Sequence, residues 1–308
     1  MEKSKVIVIC GPTASGKTAL SIELAKKING EIVSADSMQI YKDMDIGTAK
    51  PTSEEMQGIK HYLLDFVSPN ERYSVADFKK EAKKAIKEII NKGKTPIVVG
   101  GTGLYVDSLI YEIEYKEIEF DEQYRAKLEK IAEQEGLEKL YKKAIEIDSL
   151  AMEKISPNDK KRIMRVLEIY HATRKNKTEQ EKESRKEPEF DYKVFAIDMD
   201  RQVLYNRINL RVDIMLENGL IEEVKTLKEK YNKFPTAMQG LGYKEVVEYL
   251  ENKITYQEMV EKIKQETRRY AKRQLTWFRK NKQTIWIDAN KPMEEKVNQI
   301  VLESQNNM

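Results

Sequence analysis

The chain has 308 residues, 40% of them hydrophobic, with 55 basic against 52 acidic side chains and a net charge of +3. That length and apolar content suit one large or two ordinary folded domains, and the near balance of charge excludes a globally basic nucleic-acid binder, so the distribution of charge has to be read instead. Cys10 is the one cysteine, which rules out a disulfide within the chain and fits a reducing cytoplasm. The first apolar run is too short for a signal peptide, and no stretch approaches the roughly 18 apolar residues of a spanning helix, so neither secretion nor membrane association is expected.

Residues 6–10 (VIVIC) read as a buried strand. Gly11, Pro12, Thr13, Ala14, Ser15, Gly16, Lys17 and Thr18 follow it and lead into a helical stretch from about Lys17. This is the G-x-x-x-x-G-K-[ST] phosphate loop in its strand, loop, helix setting. Its glycines let the backbone N–H groups and the helix N-terminus point at one anion, while Lys17 adds a charge and Thr18 a hydroxyl suited to Mg²⁺. A di- or triphosphate is implied, whether transferred, hydrolysed or ejected.

Further strand runs at 31–34, 62–64 and 96–99 alternate with helical stretches, which predicts βαβ units around a parallel sheet. Ser74 and Asp77 have capping-box spacing at the start of a helix that runs to about Asn91. From about 112 to 171 the pattern turns helical, with Leu128, Ile131, Leu137, Leu140 and Ile145 set among charges. Between 173 and 189 no residue is apolar except Pro188, and a loop is expected there. Residues 193–198 (KVFAID) look like a returning strand, and from about Arg201 the chain reads as helical apart from 285–287. The expected architecture is α/β: a parallel-sheet core like that of P-loop NTPases, with a helical C-terminal region, over 1–111 and 192–308, and a helical insertion domain over 112–191.

Several residues could carry chemistry. Asp36 follows the second strand and so falls at the same carboxyl end of the sheet as the phosphate loop; it is a general base, a water-mediated Mg²⁺ ligand, or a turn cap. Asp65 after Leu63-Leu64 is a candidate Walker-B-like metal ligand, although few apolar residues precede it. Gly100-Gly101-Thr102-Gly103 again follows a strand, where glycines permit close approach to a ligand and Thr102 can donate to an oxygen that gains charge. Arg207 and Arg211, four apart in a helical stretch that also holds Arg201, suit phosphate binding or a solvated face. Near the C-terminus Arg268, Lys272 and Arg279, with Arg269, Arg273 and Lys280 beside them and Trp277 and Phe278 interleaved, suit an RNA backbone or a solvated face, as do Lys160, Lys161, Arg162 and Arg165. His61 and His171 lack any second ligand at metal spacing.

Taken together these segments closely resemble the tRNA dimethylallyltransferases, also called tRNA isopentenyltransferases. The matching stretches are GPTASGKT at Gly11, SADSMQIYKDMDIGTAKP at Ser34, HYLLD at His61, YSVADF at Tyr73, VVGGTGLY at Val98, PNDKKRIMR at Pro157, AMQGLGYKE at Ala237 and KRQLTWFRK at Lys272. The phosphate loop alone is widely shared, but its combination with the other motifs is specific. The resemblance implies that the loop holds the diphosphate of dimethylallyl diphosphate, and that a dimethylallyl group passes to the N6 amine of the adenine next to the anticodon of tRNA. By position Asp36 looks like the family's general base and Thr102 its catalytic threonine. Asp36, Ser37, Met38 and Gln39, together with Lys161, Arg162, Ile163, Met164 and Arg165, match segments that touch tRNA, and Arg125 matches another contact. Arg269 and Arg273 are expected to add to the RNA surface, and Arg207 and Arg211 to the diphosphate site. A cytoplasmic monomer is expected, working on the anticodon stem-loop with Mg²⁺ held through Thr18.

The chemistry is coherent. An adenine amine is a poor nucleophile because its lone pair is delocalised into the ring, so a base that takes its proton as the new bond forms assists attack. Negative charge builds on the departing diphosphate, which cations and a hydroxyl can stabilise. Two other classes share the phosphate loop: a small-molecule kinase, which would use Asp36 to activate a hydroxyl, and an RNA-binding adaptor that uses the loop as a switch.

Overall fold

The computed structural model describes residues 3–115 and 121–305. The chain runs through β1 (Lys5–Cys10), α1 (Lys17–Ile28), β2 (Gly30–Ser34), α2 (Ser53–Met56), β3 (His61–Tyr62), α3 (Val75–Asn91), β4 (Thr95–Gly100) and α4 (Gly103–Ile110). Then come α5 (Glu122–Gln134), α6 (Leu137–Ile147), α7 (Ser149–Met152), α8 (Lys160–Thr173) and α9 (Lys177–Ser184). The chain continues with β5 (Asp191–Asp198), α10 (Arg201–Glu217), α11 (Leu220–Lys230), a 3-10 turn (Ala237–Gln239), α12 (Tyr243–Leu250), α13 (Tyr256–Phe278), β6 (Ile285–Asp288) and α14 (Met293–Gln305).

The six strands form one parallel sheet in the order β3-β2-β4-β1-β5-β6, the expected α/β core. The first crossover carries the chain past the place later taken by β4, and β5 then returns to the other side of β1. The winding therefore reverses at β1, and ligands of open parallel sheets bind at such a reversal, beyond the strands' carboxyl ends. Cys10 pairs with Gly100 and Ser34 with Val99, so β1, β4 and β2 end level. Their three following loops stand side by side, with the one carrying Thr102 in the middle.

β1 is buried from Val6 to Cys10 because both faces of the sheet are covered. On one face Ile7, Ile9, Ile32 and Phe195 pack with Leu20 and Leu24 of α1 and with Val297 and Ile300 of α14. Phe78 of α3 stacks on Tyr105 of α4, with ring centroids 4.0 Å apart. α3 opens with the capping box expected at Ser74: its Oγ accepts from Asp77 N at 3.2 Å, and Asp77 Oδ2 accepts from Ser74 N at 2.8 Å. A second core joins Ile40, Tyr41 and Met44 to Val212, Leu220, Val224, Tyr243 and Ile263, which fastens the segment after β2 to the C-terminal helices.

Contacts divide the chain into two units, 1–110 with 188–308 and 111–187. The second has its own core of Leu128, Leu140, Ala144, Met152, Ile163, Met164 and Leu167. The return to the sheet unit comes a few residues earlier than the 191/192 boundary read from the sequence. Glu189 already pairs with Lys83 and Lys87 of α3, at 2.6 and 2.7 Å, and Phe190 is buried.

The loop expected over 173–189 is also corrected, since α9 forms within it although it buries no residue. Side-chain hydrogen bonds take the place of apolar packing there. Asn176 and Glu179 make a reciprocal capping box, and the buried Asp148 accepts from Thr178 N and Thr178 Oγ1, both at 2.7 Å. Among the described residues no helix is long and apolar enough to cross a membrane.

Candidate active site at the carboxyl end of the sheet

The phosphate loop takes its shape from residues in the left-handed region: Gly11 has φ 143°, Ala14 φ 62° and Gly16 φ 93°. Gly16 caps α1 without a side-chain hydrogen bond, so the first-turn amides keep their donors for an anion. Ser15 Oγ is buried with no hydrogen-bond partner, which marks a missing acceptor. Lys17 Nζ donates to Pro12 O at 2.7 Å. Burial pulls its pKa down to about 8, helped by the nearby Arg211 and opposed by Asp36. Arg211 Nη1 donates to Thr13 Oγ1 at 3.4 Å, and burial likewise lowers its pKa. Arg207, one turn earlier on α10, stands over Gly16, where a Cβ would lie 3.9 Å from its guanidinium. Arg201 instead pairs with the Tyr205 hydroxyl at 3.2 Å.

Two cavities share this loop as a wall. One, of about 400 Å³, is lined by Thr13, Lys17, Asp36, Gln39, Arg211, Tyr270 and Arg273. The other, of about 830 Å³, is lined by Ser15, Lys17, Lys50, Arg207, Arg211 and Leu210. Thr18 is exposed and borders both.

Asp36 sits just past β2 in the smaller cavity. Its Oδ1 accepts from Met38 N at 2.9 Å and from Gln39 N at 3.3 Å, so the carboxylate caps its own turn and faces the cavity at once. Gln39 spends its amide within the protein, donating to Thr48 O at 3.2 Å and Ala49 O at 3.1 Å. Thr102 Oγ1 accepts from Ser37 N at 3.0 Å and donates to Ser37 Oγ at 3.2 Å. It meets the cavity wall through Ser37, and the Tyr270 phenol also lies against it.

The glycines of the Thr102 loop admit close approach by the protein itself, and Gly100 and Gly101 also line the smaller cavity. A Cβ on Gly100 would come within 2.1 Å of Ala35 O, one on Gly101 within 2.2 Å of Gln274 Nε2, and one on Gly103 within 2.4 Å of the Trp277 ring. Trp277 donates its indole N–H to Asp107 at 2.9 Å and is partly buried, and Phe278 is buried and cannot serve as a platform for bases. The basic stripe on α13 also divides. Arg273 borders the cavity, Arg268 donates to Asn209 at 2.6 Å, and the exposed Arg269 pairs with Glu266 at 2.6 Å.

Asp65 is not a metal ligand of the Walker-B kind: Lys50 holds its carboxylate at 2.6 Å, and it lines neither cavity. His61 Nδ1 contacts Ile59 O at 2.9 Å, and His171 stacks on Tyr124 and contacts Asp121 at 3.1 Å, both structural roles. Among the described residues no group of three His, Cys, Asp or Glu side chains could hold a metal.

In the helical unit Lys161, Arg162 and Arg165 are exposed, but Ile163 and Met164 are 0% and 1% exposed. Their place as RNA contacts is therefore corrected, because one face of α8 must fill that unit's core. Arg125 pairs with Glu129 at 3.3 Å and with Glu168 at 3.1 Å, and Arg165 shares Glu168 at 3.7 Å.

Three site residues escaped the reading from sequence. Gln274 and Tyr270 face the cavity from α13. Glu223 accepts from Asp45, Ile46 and Gly47 N–H groups, at 2.9, 2.7 and 3.1 Å, and fixes the loop that borders both cavities. The signal for Gln274 was a polar residue in phase with the apolar positions of its helix, since it shares a face with Ile263 and Tyr270.

Residues 39–281 match the IPP transferase family model. The chain is 55% identical over 287 residues to the tRNA dimethylallyltransferase of Acetivibrio thermocellus, covering 92% of each chain. It is 52% identical to that of Caldanaerobacter subterraneus subsp. tengcongensis, covering 94% of each. Among solved structures, the tRNA isopentenylpyrophosphate transferase of Staphylococcus epidermidis is 42% identical with a TM-score of 0.72, over 99% of this chain and 100% of that one. A eukaryotic dimethylallyltransferase acting on tRNA is 35% identical with a TM-score of 0.77, over 93% of this chain and 74% of that one.

Proposed function

The chain belongs to the IPP transferase family and is a prenyltransferase of tRNA, and we propose that the smaller cavity is where the dimethylallyl group passes from its diphosphate to the N6 amine of the adenine next to the anticodon. The observation that carries this reading is the meeting of Lys17, Arg211 and Asp36 in one cavity. Membership of the family retires the kinase and adaptor readings.

In the proposed mechanism the loop amides, Lys17, Arg207 and Arg211 hold the diphosphate. Asp36, steadied through Oδ1 by two amides, takes the amine proton on its other oxygen as the carbon–nitrogen bond forms. The Thr102 hydroxyl, turning its proton away from Ser37 Oγ, donates to the oxygen from which the carbon departs. The adenine has to leave its stack to reach Asp36. For Mg²⁺ the protein offers the exposed Thr18 hydroxyl and, among the described residues, no carboxylate cage. That fits a cation which takes most of its ligands from phosphate and water. Bound there, it would neutralise charge on the leaving diphosphate.

For tRNA we propose contacts from Asp36, Ser37, Met38, Gln39 and Arg273 at the cavity, and from Lys161, Arg162, Arg165 and Arg269 on exposed helical faces. Arg125 joins them by exchanging a carboxylate for a phosphate. The substrate is the anticodon stem-loop, and the enzyme works as a cytoplasmic monomer, since one chain carries the whole constellation.

The test is incubation with bulk tRNA and labelled dimethylallyl diphosphate, with labelled ATP in parallel, then digestion to nucleosides. Label should enter tRNA as N6-dimethylallyladenosine, with no phosphate moved from ATP. Label confined to a free adenine nucleotide, or none in any nucleoside, would refute the proposal.

A further inference from the structure

We propose that Gln274 is a positioning residue that sets the spacing between the phosphate loop and Thr102, an inference that rests on the role given to Thr102 above. Gln274 is 5% exposed and reaches from α13 between the two loops. Its Oε1 accepts from Thr13 N at 2.9 Å, and its Nε2 donates to Gly101 O at 2.8 Å. A backbone amide only donates and a carbonyl only accepts, so the side-chain amide has one allowed orientation, and turning it would set donor against donor.

The bridge stands where backbone pairing stops. Cys10 and Gly100 are the last paired residues of β1 and β4, and beyond them Thr13 and Gly101 belong to separate loops. Gln274 continues the link that the ladder no longer makes. Gly101 yields to it, since a Cβ there would lie 2.2 Å from Nε2. On its far side the Thr102 loop is pressed on Ala35, with Thr102 N donating to Ala35 O at 3.3 Å. Thr13 is gripped twice, through its amide by Gln274 and through its hydroxyl by Arg211. The anion cradle and the hydroxyl beside it are thus fixed to each other through one buried side chain, and reacting groups displaced by about 1 Å can cost about 10²-fold in rate.

The experiment is a double-mutant cycle of Gln274→Met, which keeps the side chain's length and removes its hydrogen bonds to Thr13 and Gly101 together with its contact to the Tyr270 phenol, with Thr102→Ala. Single-turnover prenyl transfer, the dissociation constant of inorganic diphosphate and the thermal midpoint are read for each variant. Gln274→Met should slow the single turnover by about 10- to 100-fold, with diphosphate affinity changed by less than about threefold. In its background Thr102→Ala should cost less than about threefold, although it costs far more in the natural protein, because the hydroxyl is already out of place. An unchanged rate, a loss carried by diphosphate affinity, or additive effects would overturn the inference and leave the Thr102 reading intact. A harmless Thr102→Ala in the natural protein would overturn both. If Gln274→Met lacks a cooperative thermal transition, Gln274→Glu, which keeps the acceptor for Thr13 but sets an oxygen against Gly101 O, carries the same cycle.

Discussion

Cations at the carboxyl end of the sheet and cations in the helical unit are held in opposite ways. Arg125 and Arg165 lie against Glu168, and Lys139 and Lys142 against carboxylates one turn away, so the helical unit neutralises much of its own charge. Lys17 and Arg211 instead lie where burial disfavours their charge, each near the other and Asp36. A partly buried cation that makes no ion pair with a carboxylate is costly until an anion arrives. The sheet unit therefore stores its charge for a ligand, whereas the helical unit presents exposed charge whose effect on an RNA backbone is long-range and screened by salt.

The largest effect expected from this contrast is on Lys17. Lys17→Ala should weaken binding of dimethylallyl diphosphate by about 2 to 5 kcal/mol, measured by isothermal titration, because a desolvated charge contact is lost. The same contrast sets a pH dependence. With its pKa lowered to about 8, Lys17 loses its proton as pH rises past that value in the free protein, and a bound anion raises the pKa again. Binding then takes up a proton, so donor affinity should fall above pH 8, by up to about tenfold per unit. Lys17→Ala should flatten that fall. A flat profile in the natural protein would mean that Lys17 is not the group that meets the diphosphate.

Within the helical unit two neighbours on α8 should behave in opposite ways. Ile163→Ala should destabilise that unit by about 2 to 5 kcal/mol in a denaturant melt, with the salt dependence of tRNA binding unchanged. Arg162→Ala should leave stability alone and lower the log–log salt slope by roughly 0.7 to 0.9. Equal effects on stability would break the division of α8 into a core face and an exposed basic face.

That division also shows what a sequence makes legible. The phosphate loop, Asp36 and Thr102 were found because their positions depend on backbone geometry at strand ends, where glycines and a level β1-β4-β2 register leave few alternatives. A run such as 161–165 is different, because successive helix positions point different ways, and a motif matched along the chain includes residues that face the core. The glycines of the Thr102 loop were legible as sites of close approach, but what approaches is Ala35, Gln274 and Trp277, long-range partners that local pattern cannot name. α9 escaped because its support comes from Asp148, some thirty residues away, and leaves no apolar period. Glu223 was hidden for the same reason, its three amide partners lying 176 to 178 residues earlier.

The central claim is that the carboxyl end of the sheet separates holding the diphosphate from removing the proton, and Asp36→Asn tests it most directly. Asparagine keeps an oxygen for the Met38 and Gln39 amides but cannot take the proton. The single-turnover rate should fall by about 10² to 10⁴, while the dissociation constants for tRNA and dimethylallyl diphosphate change little. A near-normal chemical rate, or a loss of activity accounted for by weakened donor or metal binding, would contradict the assignment of Asp36 as the base.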